Sequence, residues 1–270
     1  MILITGASSG MGKESALQLI KEGHIVYGAA RRLAQMQDLV DAGGHAIALD
    51  VTDDEQIVSA VAKVINEEGK IDVLWNNAGY GLYGAVEDIK IEDARRQFEV
   101  NLFGLARMTQ EVLPHMRKQK SGTIINTSSM GGKMYTPLGA WYHATKHALE
   151  GWSDCLRLEL KEFNINVVVL EPGAIATEFG SVMYEPMLEA SGEGPYKKLA
   201  NAMAKATKDS YEKPNAASPA SVISNTMSKI VRSAKPKTRY RVGKWAKPMV
   251  WIRVFLGDKF FDSTIMSQIK

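Results

Sequence analysis

Short, continuous apolar runs recur along the chain, and Gly, Asp, Asn or Pro bounds each of them. Such runs are typical of strands that are buried on both faces of a parallel sheet. The predicted strands cover residues 1–4, 25–27, 46–49, 71–75, 123–126 and 167–170, with a last short strand at 239–242.

Helical spacing of apolar residues fills the stretches between these strands. Helices are predicted at 12–21, 54–68, 94–116, 140–163 and about 219–233. Strands that alternate with helices indicate right-handed βαβ units. We therefore predict an α/β fold, a doubly wound parallel sheet of about seven strands with helices on both faces.

The alternation of strands and helices stops after Pro172-Gly173. Residues from about 178 to 218 are rich in Met, Ala, Lys and Gly, and predict an inserted loop with short helix over one end of the sheet. Long insertions at such places are usually lids or binding loops. Residues from about 244 to 270 form a basic, aromatic extension. We expect one domain over residues 1–270.

The composition, 45% hydrophobic and 23% charged over 270 residues, excludes disordered, collagen-like and coiled-coil chains. A single Cys excludes internal disulfides and Cys-based zinc or iron–sulfur sites, and indicates a reducing compartment. The chain opens on an apolar run without a basic stretch, so we expect no signal peptide. No apolar run reaches the roughly 18 residues of a membrane span. We expect a cytoplasmic protein, with contact at a membrane surface left open.

Charge is divided unevenly along the chain. Residues 1–196 contain 17 Lys and Arg against 26 Asp and Glu, and residues 197–270 contain 16 against 4. The basic part also contains Trp245, Trp251, Phe255, Phe260 and Phe261. Aromatic residues among basic ones can stack on bases or lie on a membrane. Because the rest of the chain is acidic, we expect no nucleic acid; the basic part can cover a site, bridge subunits or touch a membrane.

A glycine-rich turn, Thr5-Gly6-Ala7-Ser8-Ser9-Gly10-Met11-Gly12, directly follows the first predicted strand. Glycines there let the backbone approach a diphosphate, whose charge the N–H groups at the next helix start can meet. The Walker pattern of phosphoryl-transfer enzymes fails, because Lys13 is followed by Glu14. The turn therefore indicates a dinucleotide site.

Four motifs in this order and spacing resemble those of the short-chain dehydrogenase/reductase family, over residues 1 to about 180. They are the turn at 5–12, Asn76-Asn77-Ala78-Gly79, Tyr142-x-x-x-Lys146 and Pro172-Gly173-x-x-x-Thr177. The resemblance implies a Rossmann-type domain and hydride transfer between a nicotinamide cofactor and a carbonyl or alcohol. The cofactor contacts that it implies are Gly6, Ser8, Ser9, Gly10, Met11, Gly12, Asp50 and Val51 (adenine), Asn77, Ala78 and Gly79 (ribose side), Tyr142, Lys146, Pro172, Gly173, Ile175 and Thr177 (carboxamide).

Arg31 and Arg32 follow the second predicted strand, where folds that take NAD place an acidic group. A guanidinium is the natural bidentate partner of a 2′-phosphate. The alternative is that these arginines lie on a solvated helix start. We predict NADP(H) rather than NAD(H), with Arg31 favoured by position.

Tyr142 and Lys146 are four residues apart, so on a helix both side chains share one face. A free phenol titrates near ~10, and a nearby ammonium and an oxidised nicotinamide would lower that pKa. The resemblance adds Ser129, with Ser128 as its competitor, to orient the substrate oxygen. It also adds Asn101 to hold a water in a proton relay, although a buried Asn that kinks its helix is a structural alternative. The predicted catalytic residues are therefore Asn101, Ser129, Tyr142 and Lys146, with Tyr142 as general acid/base.

Other interpretations of the same region are weaker. His143 and His147 are four apart, but the Glu of a zinc-binding H-E-x-x-H motif is Ala144, so we expect no metal. Cys155 is expected to pack rather than react. A non-catalytic NADPH sensor is the alternative function, against which the complete catalytic set argues. The resemblance implies a homodimer or homotetramer through the helix that carries Cys155.

The residues that flank the predicted site are apolar and adaptable, which suits an irregular hydrophobic substrate. They are Tyr80, Leu82, Met130, Met134, Tyr135 and Leu138, with Met183, Tyr184 and Met187 on the inserted segment. The pattern at 218–219 and 236–243 is similar to that of the 17β-hydroxysteroid and retinol dehydrogenase-like branch. We expect a lipophilic, steroid-, retinoid- or aldehyde-like small molecule, with a polar, sugar-like substrate as the alternative.

Overall fold

One parallel sheet forms the centre of the protein in the computed structural model, which describes residues 1–269. Its strands are β1 (Ile2–Thr5), β2 (Val26–Ala30), β3 (His45–Ala48), β4 (Val73–Asn76), β5 (Gly122–Thr127), β6 (Ile165–Pro172) and β7 (Arg239–Val242). They are hydrogen-bonded in the order β3-β2-β1-β4-β5-β6-β7, and every pair is parallel. The predicted doubly wound sheet is confirmed, and its order reverses between β1 and β4, where such sheets bind ligands.

Helices cover both faces of the sheet because alternate strand residues point to opposite sides. The helices are α1 (Gly10–Lys21), α2 (Gln37–Asp41), α3 (Asp54–Glu68), α4 (Ile91–Phe98), α5 (Leu105–Gln119), α6 (Ala140–Glu159), α7 (Phe179–Ser191), α8 (Lys197–Glu212), α9 (Ser221–Val231), α10 (Ala246–Phe255) and α11 (Gly257–Ser267). Leu3 packs with residues of α3, α5 and α6 on one face. Ile2 and Ile4 pack with residues of α1 and α9 on the other.

The helical stretch predicted over 94–116 is confirmed, but it is not one uninterrupted α-helix. A π-helix at Glu99–Gly104 separates α4 from α5. Gly104 lies against the loop after β3, since a Cβ on it would come within 2.2 Å of the Val51 carbonyl oxygen. The wider helical turn therefore lies where the helix meets the backbone of another element.

The inserted segment also differs from the predicted loop with short helix. It contains the 13-residue α7 and the 16-residue α8, which pack on each other. Met183 and Met187 of α7 face Ala200 and Met203 of α8. Methionine and alanine at helical spacing give a weaker hydrophobic signal than Leu or Ile, although both favour helix. Within residues 1–269, no helix is both long and apolar enough to cross a membrane.

Candidate active site

The glycine-rich turn lies at the carboxyl end of β1 and begins α1. Gly6 and Gly10 have φ of +69° and +55°, in the left-handed region that favours glycine. A Cβ on Gly12 would lie 2.4 Å from the Gly6 carbonyl oxygen. The Thr5 hydroxyl accepts the N–H groups of Asn77 (3.0 Å) and Ala78 (3.1 Å), which fixes the turn to the end of β4. The turn is therefore so compact that a side chain at these glycines would clash or be strained. We call this turn, residues 5–12, the cradle.

Asn77 itself holds the cradle together. Its side-chain amide donates to the carbonyl oxygens of Thr5 and Gly6, both at 3.2 Å. The resemblance placed this residue at the adenosine ribose. In the structure its Nδ2 supports the turn, so the contact it offers a ligand comes from its remaining atoms and from Ala78 and Gly79.

Arg31 and Arg32 are exposed at the end of β2, next to the cradle. The Arg32 guanidinium donates to the Ser9 hydroxyl at 3.3 Å. Asp50, at the end of β3, accepts the N–H (3.0 Å) and the hydroxyl (2.8 Å) of Thr52. Burial opposes ionisation of Asp50, but these hydrogen bonds and the charge of Arg31 outweigh it and lower the pKa of the carboxyl. The two arginines and Asp50 therefore line one end of the cradle.

The segment after β6 closes the other side of the cradle. A Cβ on Gly10 would contact the Thr177 side chain at 3.4 Å. Gly173 lies so close to the loop after β7 that a Cβ would lie 2.1 Å from the Lys244 carbonyl oxygen. Ile175 is buried and forms a parallel bridge with Ser218. The Pro172–Thr177 motif is therefore held between the glycine turn and the C-terminal part of the chain.

Lys146 brings the catalytic candidates together at the carboxyl end of β5. Its Nζ donates to the Thr127 carbonyl oxygen at 2.9 Å and lies 5.9 Å from the centroid of the Tyr142 ring. Both side chains are buried on α6, as their spacing predicts. A Cβ on Gly79 would lie 3.1 Å from Asn101 Oδ1 and 3.6 Å from Lys146 Nζ. Tyr142, Lys146, Asn101 and Gly79 thus form one cluster.

Asn101 lies in the π-helix, with its side chain bonded on both ends. Its Oδ1 accepts the Tyr80 N–H at 3.0 Å, and its Nδ2 donates to the Tyr80 carbonyl oxygen (2.9 Å) and the Thr145 hydroxyl (3.2 Å). These bonds join the helix, the loop after β4 and α6. The side-chain amide therefore positions the cluster.

The structure distinguishes the two neighbouring serines. The Ser129 hydroxyl accepts the Gly131 N–H at 3.0 Å, and it is the side chain that opposes the rise in the pKa of Tyr142. Ser128 is buried behind Gly132, where a Cβ would lie 2.6 Å from the Ser128 hydroxyl oxygen. Ser129, and not Ser128, is therefore the serine beside the tyrosine.

Burial governs the pKa values of the central pair. It raises the pKa of Tyr142 to about 12, and the hydrogen bond with Ser129 opposes part of that rise. It lowers the pKa of Lys146 to about 8, opposed by the Glu150 carboxylate. At Tyr142 burial therefore outweighs the lowering expected from the ammonium, because Tyr83 and Phe179 pack around the phenol ring while Lys146 donates to the Thr127 carbonyl oxygen.

His143 is a structural residue that the sequence analysis considered only as a metal ligand. Its Nδ1 bonds the Gly131 carbonyl oxygen at 2.9 Å, and its Nε2 accepts the Thr136 N–H at 3.0 Å. The ring therefore carries its proton on Nδ1 and holds the loop after Ser129. Burial lowers the pKa of His143 to about 4. The sequence signal for this structural role is the pair of glycines at 131 and 139, because a Cβ at either position would meet the His143 ring.

The apolar residues around the site divide into two groups. Leu138, Met183 and Met187 are buried with Tyr142 in one cluster, and Tyr184 packs against it. Met130, Met134 and Tyr135 pack against Met249, Phe261 and Ile265 of the C-terminal helices, so α10 and α11 cover the loop that carries them. A place for these three residues in the substrate wall stays a prediction.

A buried ionic network lies behind the catalytic helix. Glu150 of α6 contacts Lys133 and Arg239, both at 3.1 Å. Glu171 of β6 is fully buried, contacts Arg239 at 3.3 Å and bonds Arg241. Because Glu150 is one helical turn after Lys146, the network fixes the catalytic helix to β6 and β7. Motif spacing did not indicate it.

Known proteins share both the sequence and the fold. Residues 1–186 match the profile of the family described as short chain dehydrogenase. A 3-ketodihydrosphingosine reductase from Bacteroides thetaiotaomicron is 44% identical over 179 residues, which is 66% of this chain and 65% of that protein, just under two thirds of its length.

Two solved structures match nearly the whole fold. A short-chain dehydrogenase from Streptomyces avermitilis has a TM-score of 0.78 and 32% identity, covering 98% of this chain and 92% of that one. A serine dehydrogenase complexed with NADP+ has a TM-score of 0.77 and 28% identity, covering 90% and 94%. The sheet order, the glycine turn and the profile match agree: the chain belongs to the short-chain dehydrogenase/reductase family of oxidoreductases, which act on CH–OH and C=O groups.

Proposed function

We propose that the protein transfers a hydride between NADP(H) and the carbonyl or secondary alcohol of a lipophilic small molecule, with Tyr142 as general acid/base. The observation that carries this proposal is the convergence of Tyr142, Lys146 and Ser129 beside the glycine cradle. A proton donor, a cation and a hydroxyl next to a dinucleotide site are the groups that carbonyl reduction needs.

The cradle fits a dinucleotide. Its glycines let the turn pack closely on itself and on the end of β4, and the N-terminus of α1 offers free N–H groups to the charge of a diphosphate. The exposed guanidinium groups of Arg31 and Arg32 suit a 2′-phosphate. The similar serine dehydrogenase is complexed with NADP+. Residues that would hold the cofactor are Gly6, Ser8, Ser9, Gly10, Met11, Gly12, Arg31, Arg32, Asp50, Val51, Asn77, Ala78, Gly79, Tyr142, Lys146, Pro172, Gly173, Ile175 and Thr177.

When bound, the nicotinamide supplies or accepts the hydride. Tyr142 keeps its proton at neutral pH, since its pKa is raised to about 12, and so it can donate that proton to a substrate oxygen. Ser129 orients the same oxygen with its hydroxyl. The ammonium of Lys146 stabilises the negative charge that the Tyr142 oxygen acquires after donation. Asn101 keeps the helix and the loop after β4 in register with both.

The substitution Tyr142→Phe tests the mechanism. We expect loss of turnover with unchanged NADPH affinity, measured by fluorescence titration. Tyr240→Phe is the matched control, because the Tyr240 hydroxyl accepts only the Lys237 N–H of the loop before β7. Turnover that survives in Tyr142→Phe would refute the catalytic role. If the unmodified protein binds NADPH and reduces no member of a carbonyl panel, the NADPH-sensor alternative is favoured instead.

A lipophilic substrate is supported by the apolar side of the site. Tyr142 is packed with Leu138, Met183 and Met187, whose side chains can adapt to irregular hydrophobic shapes. The similar protein from Bacteroides thetaiotaomicron is named a 3-ketodihydrosphingosine reductase. A panel of steroid, retinoid and long-chain ketones and aldehydes, with a sugar ketone as control, tests this class. A preference for the sugar would refute it.

We also propose that the protein associates with copies of itself through α6. Leu158 on that helix is 69% exposed, and a second copy of the chain packed on α6 would cover it. Light scattering of the protein and of Leu158→Glu tests this. A monomer in both samples would refute it.

A further inference from the structure

The outer side of the last two helices carries a continuous set of large apolar side chains. Trp251, Val254 and Phe255 of α10 are 54%, 59% and 69% exposed, Leu256 between the helices is 42% exposed, and Phe260 of α11 is 54% exposed. We call these five residues the C-terminal face. Isolated exposed apolar residues are normal, but a contiguous patch marks an interaction site.

The C-terminal face does not contribute to the core of the protein. Met249 and Val250 fix α10 to the fold from its opposite side, and Phe261 and Ile265 do the same for α11. Trp251, Val254 and Phe255 are spaced by three and four residues, so they share one side of α10, and the rings of Trp251 and Phe255 lie 5.7 Å apart. The sequence thus maintains a second apolar side that the single chain leaves in solvent.

Basic residues border this face. Lys247 is one helical turn before Trp251, and Lys244 and Lys259 are likewise exposed. Arg253 is paired with Asp258 at 2.7 Å, and Asp258 is the one acidic residue between 244 and 259. Aromatic residues bordered by lysines match the interface of a membrane with negatively charged lipids, where rings enter the headgroup region and cations meet phosphates.

We propose that the C-terminal face is a peripheral docking surface for anionic lipid membranes. A second copy of the chain is the competing occupant of an apolar face. A two-fold contact, however, would bring the lysines of both copies around one interface. Between 244 and 259 the one acidic residue, Asp258, is already paired with Arg253, so like charges would oppose that contact. The charge around the face is therefore complementary to lipid phosphate rather than to itself.

The docking surface is rigidly connected to the active-site loop. Tyr135, six residues after Ser129, donates to Asp262 at 2.9 Å and lies edge-on to the Phe261 ring at 5.1 Å. The Arg253 guanidinium lies 5.1 Å from the centre of the Tyr135 ring. Docking therefore fixes the loop that carries Ser129 close to the bilayer. Docking could then deliver a lipophilic substrate to the active site, and this part of the inference rests on the proposed function.

Vesicle co-sedimentation of the full chain tests the docking surface. The vesicles are pure phosphatidylcholine, and an equal mixture of phosphatidylcholine and phosphatidylglycerol. We expect binding to the mixed vesicles that weakens with added salt, and much weaker binding to phosphatidylcholine alone. The double variant Trp251→Glu/Phe255→Glu should lose at least about tenfold in partition, because it removes inserted apolar area and adds negative charge. The control Val58→Glu, an exposed apolar residue of α3, should bind as the unmodified protein does.

Circular dichroism establishes that each variant is folded. The proposal is overturned if the unmodified protein ignores the mixed vesicles, or if the double variant binds them equally well. It is also overturned if the double variant turns a dimer into a monomer while neither protein binds vesicles, since the face is then a subunit contact. Because binding is measured without substrate or cofactor, its failure leaves the proposed reaction standing, and a failure of turnover leaves docking standing.

Discussion

Protonation of His143 should destabilise the fold in a defined range of pH. In the structure the ring is neutral: it donates through Nδ1 to the Gly131 carbonyl and accepts the Thr136 N–H through Nε2. A second proton, on Nε2, would turn that acceptor into a donor, which would then face the Thr136 N–H, itself a donor. Burial accordingly lowers the pKa of His143 from 6.5 to about 4.

The size and sign of the effect follow from proton linkage. Above pH 6.5 the ring is neutral in both states, so its contribution is constant. As the pH falls from 6.5 towards 4, the unfolded chain takes up the proton and the folded chain does not. Since one pKa unit corresponds to about 1.4 kcal/mol, His143 should remove about 3 kcal/mol of stability over that range.

Urea unfolding followed by tryptophan fluorescence measures this contribution. His143→Gln keeps an amide donor and acceptor but cannot titrate, so it should be less stable than the unmodified protein at pH 7. The difference in unfolding free energy between the two proteins should be about 3 kcal/mol smaller near pH 4 than at pH 7. The carboxylates titrate alike in both proteins, so their contributions cancel in this difference. His45→Gln, at an exposed position of the edge strand β3, is the control for exchange of a histidine at the surface. A His143→Gln difference that stays constant with pH would refute the reasoning.

Three further outcomes are expected. Gly12→Ala should weaken NADPH binding in titration calorimetry and cost about 1–3 kcal/mol of stability, because its Cβ meets the Gly6 carbonyl oxygen. In the control Gly151→Ala the Cβ meets nothing, so this substitution should add about 0.5–1 kcal/mol of stability. Equal effects of the two substitutions would contradict this prediction. Carbonyl reduction should slow as pH rises through about 8, where Lys146 loses its proton, and a pH–rate profile that is flat well above that value would exclude an ammonium. Arg31→Ala should weaken NADPH about ten- to a hundredfold and leave NADH unchanged, as fluorescence titration measures; an equal loss for both cofactors would place Arg31 away from the 2′-phosphate.

The sheet could be predicted from sequence because its strands are signalled locally. Each of the seven strands overlaps a predicted strand, six of them at an apolar run, and α3 has the predicted bounds. The π-helix at Glu99–Gly104 could not be predicted in that way, since it depends on contact between Gly104 and Val51, far away in sequence. The helices of the inserted segment were missed for another reason: their faces consist of Met and Ala, and their packing partners are each other.

In the candidate site, as in the fold, local spacing predicts some features and tertiary packing decides the others. The positions of Tyr142, Lys146 and the glycine turn follow from spacing within one element, and the structure has them where the sequence placed them. Which serine faces Tyr142, and the direction in which the pKa of Tyr142 moves, depend on how α6, α7 and the loop after β5 pack. Motif spacing carries no information on burial, and burial is the largest cause of both pKa shifts at the centre.

The charge division of the chain, −9 over residues 1–196 and +12 over the remainder, has two physical origins in the fold. A carboxylate as buried as Glu171 needs a cation beside it. Sheet order places β7 next to β6, so Arg239 and Arg241 supply that cation from the basic part of the chain. Both arginines pair with Glu171, and Arg239 also holds the catalytic helix through Glu150. The lysines around α10 and α11 have no such buried partner and remain on the surface. The first group is therefore required by the fold of a single chain, whereas the second acquires a purpose only when a negatively charged surface is present.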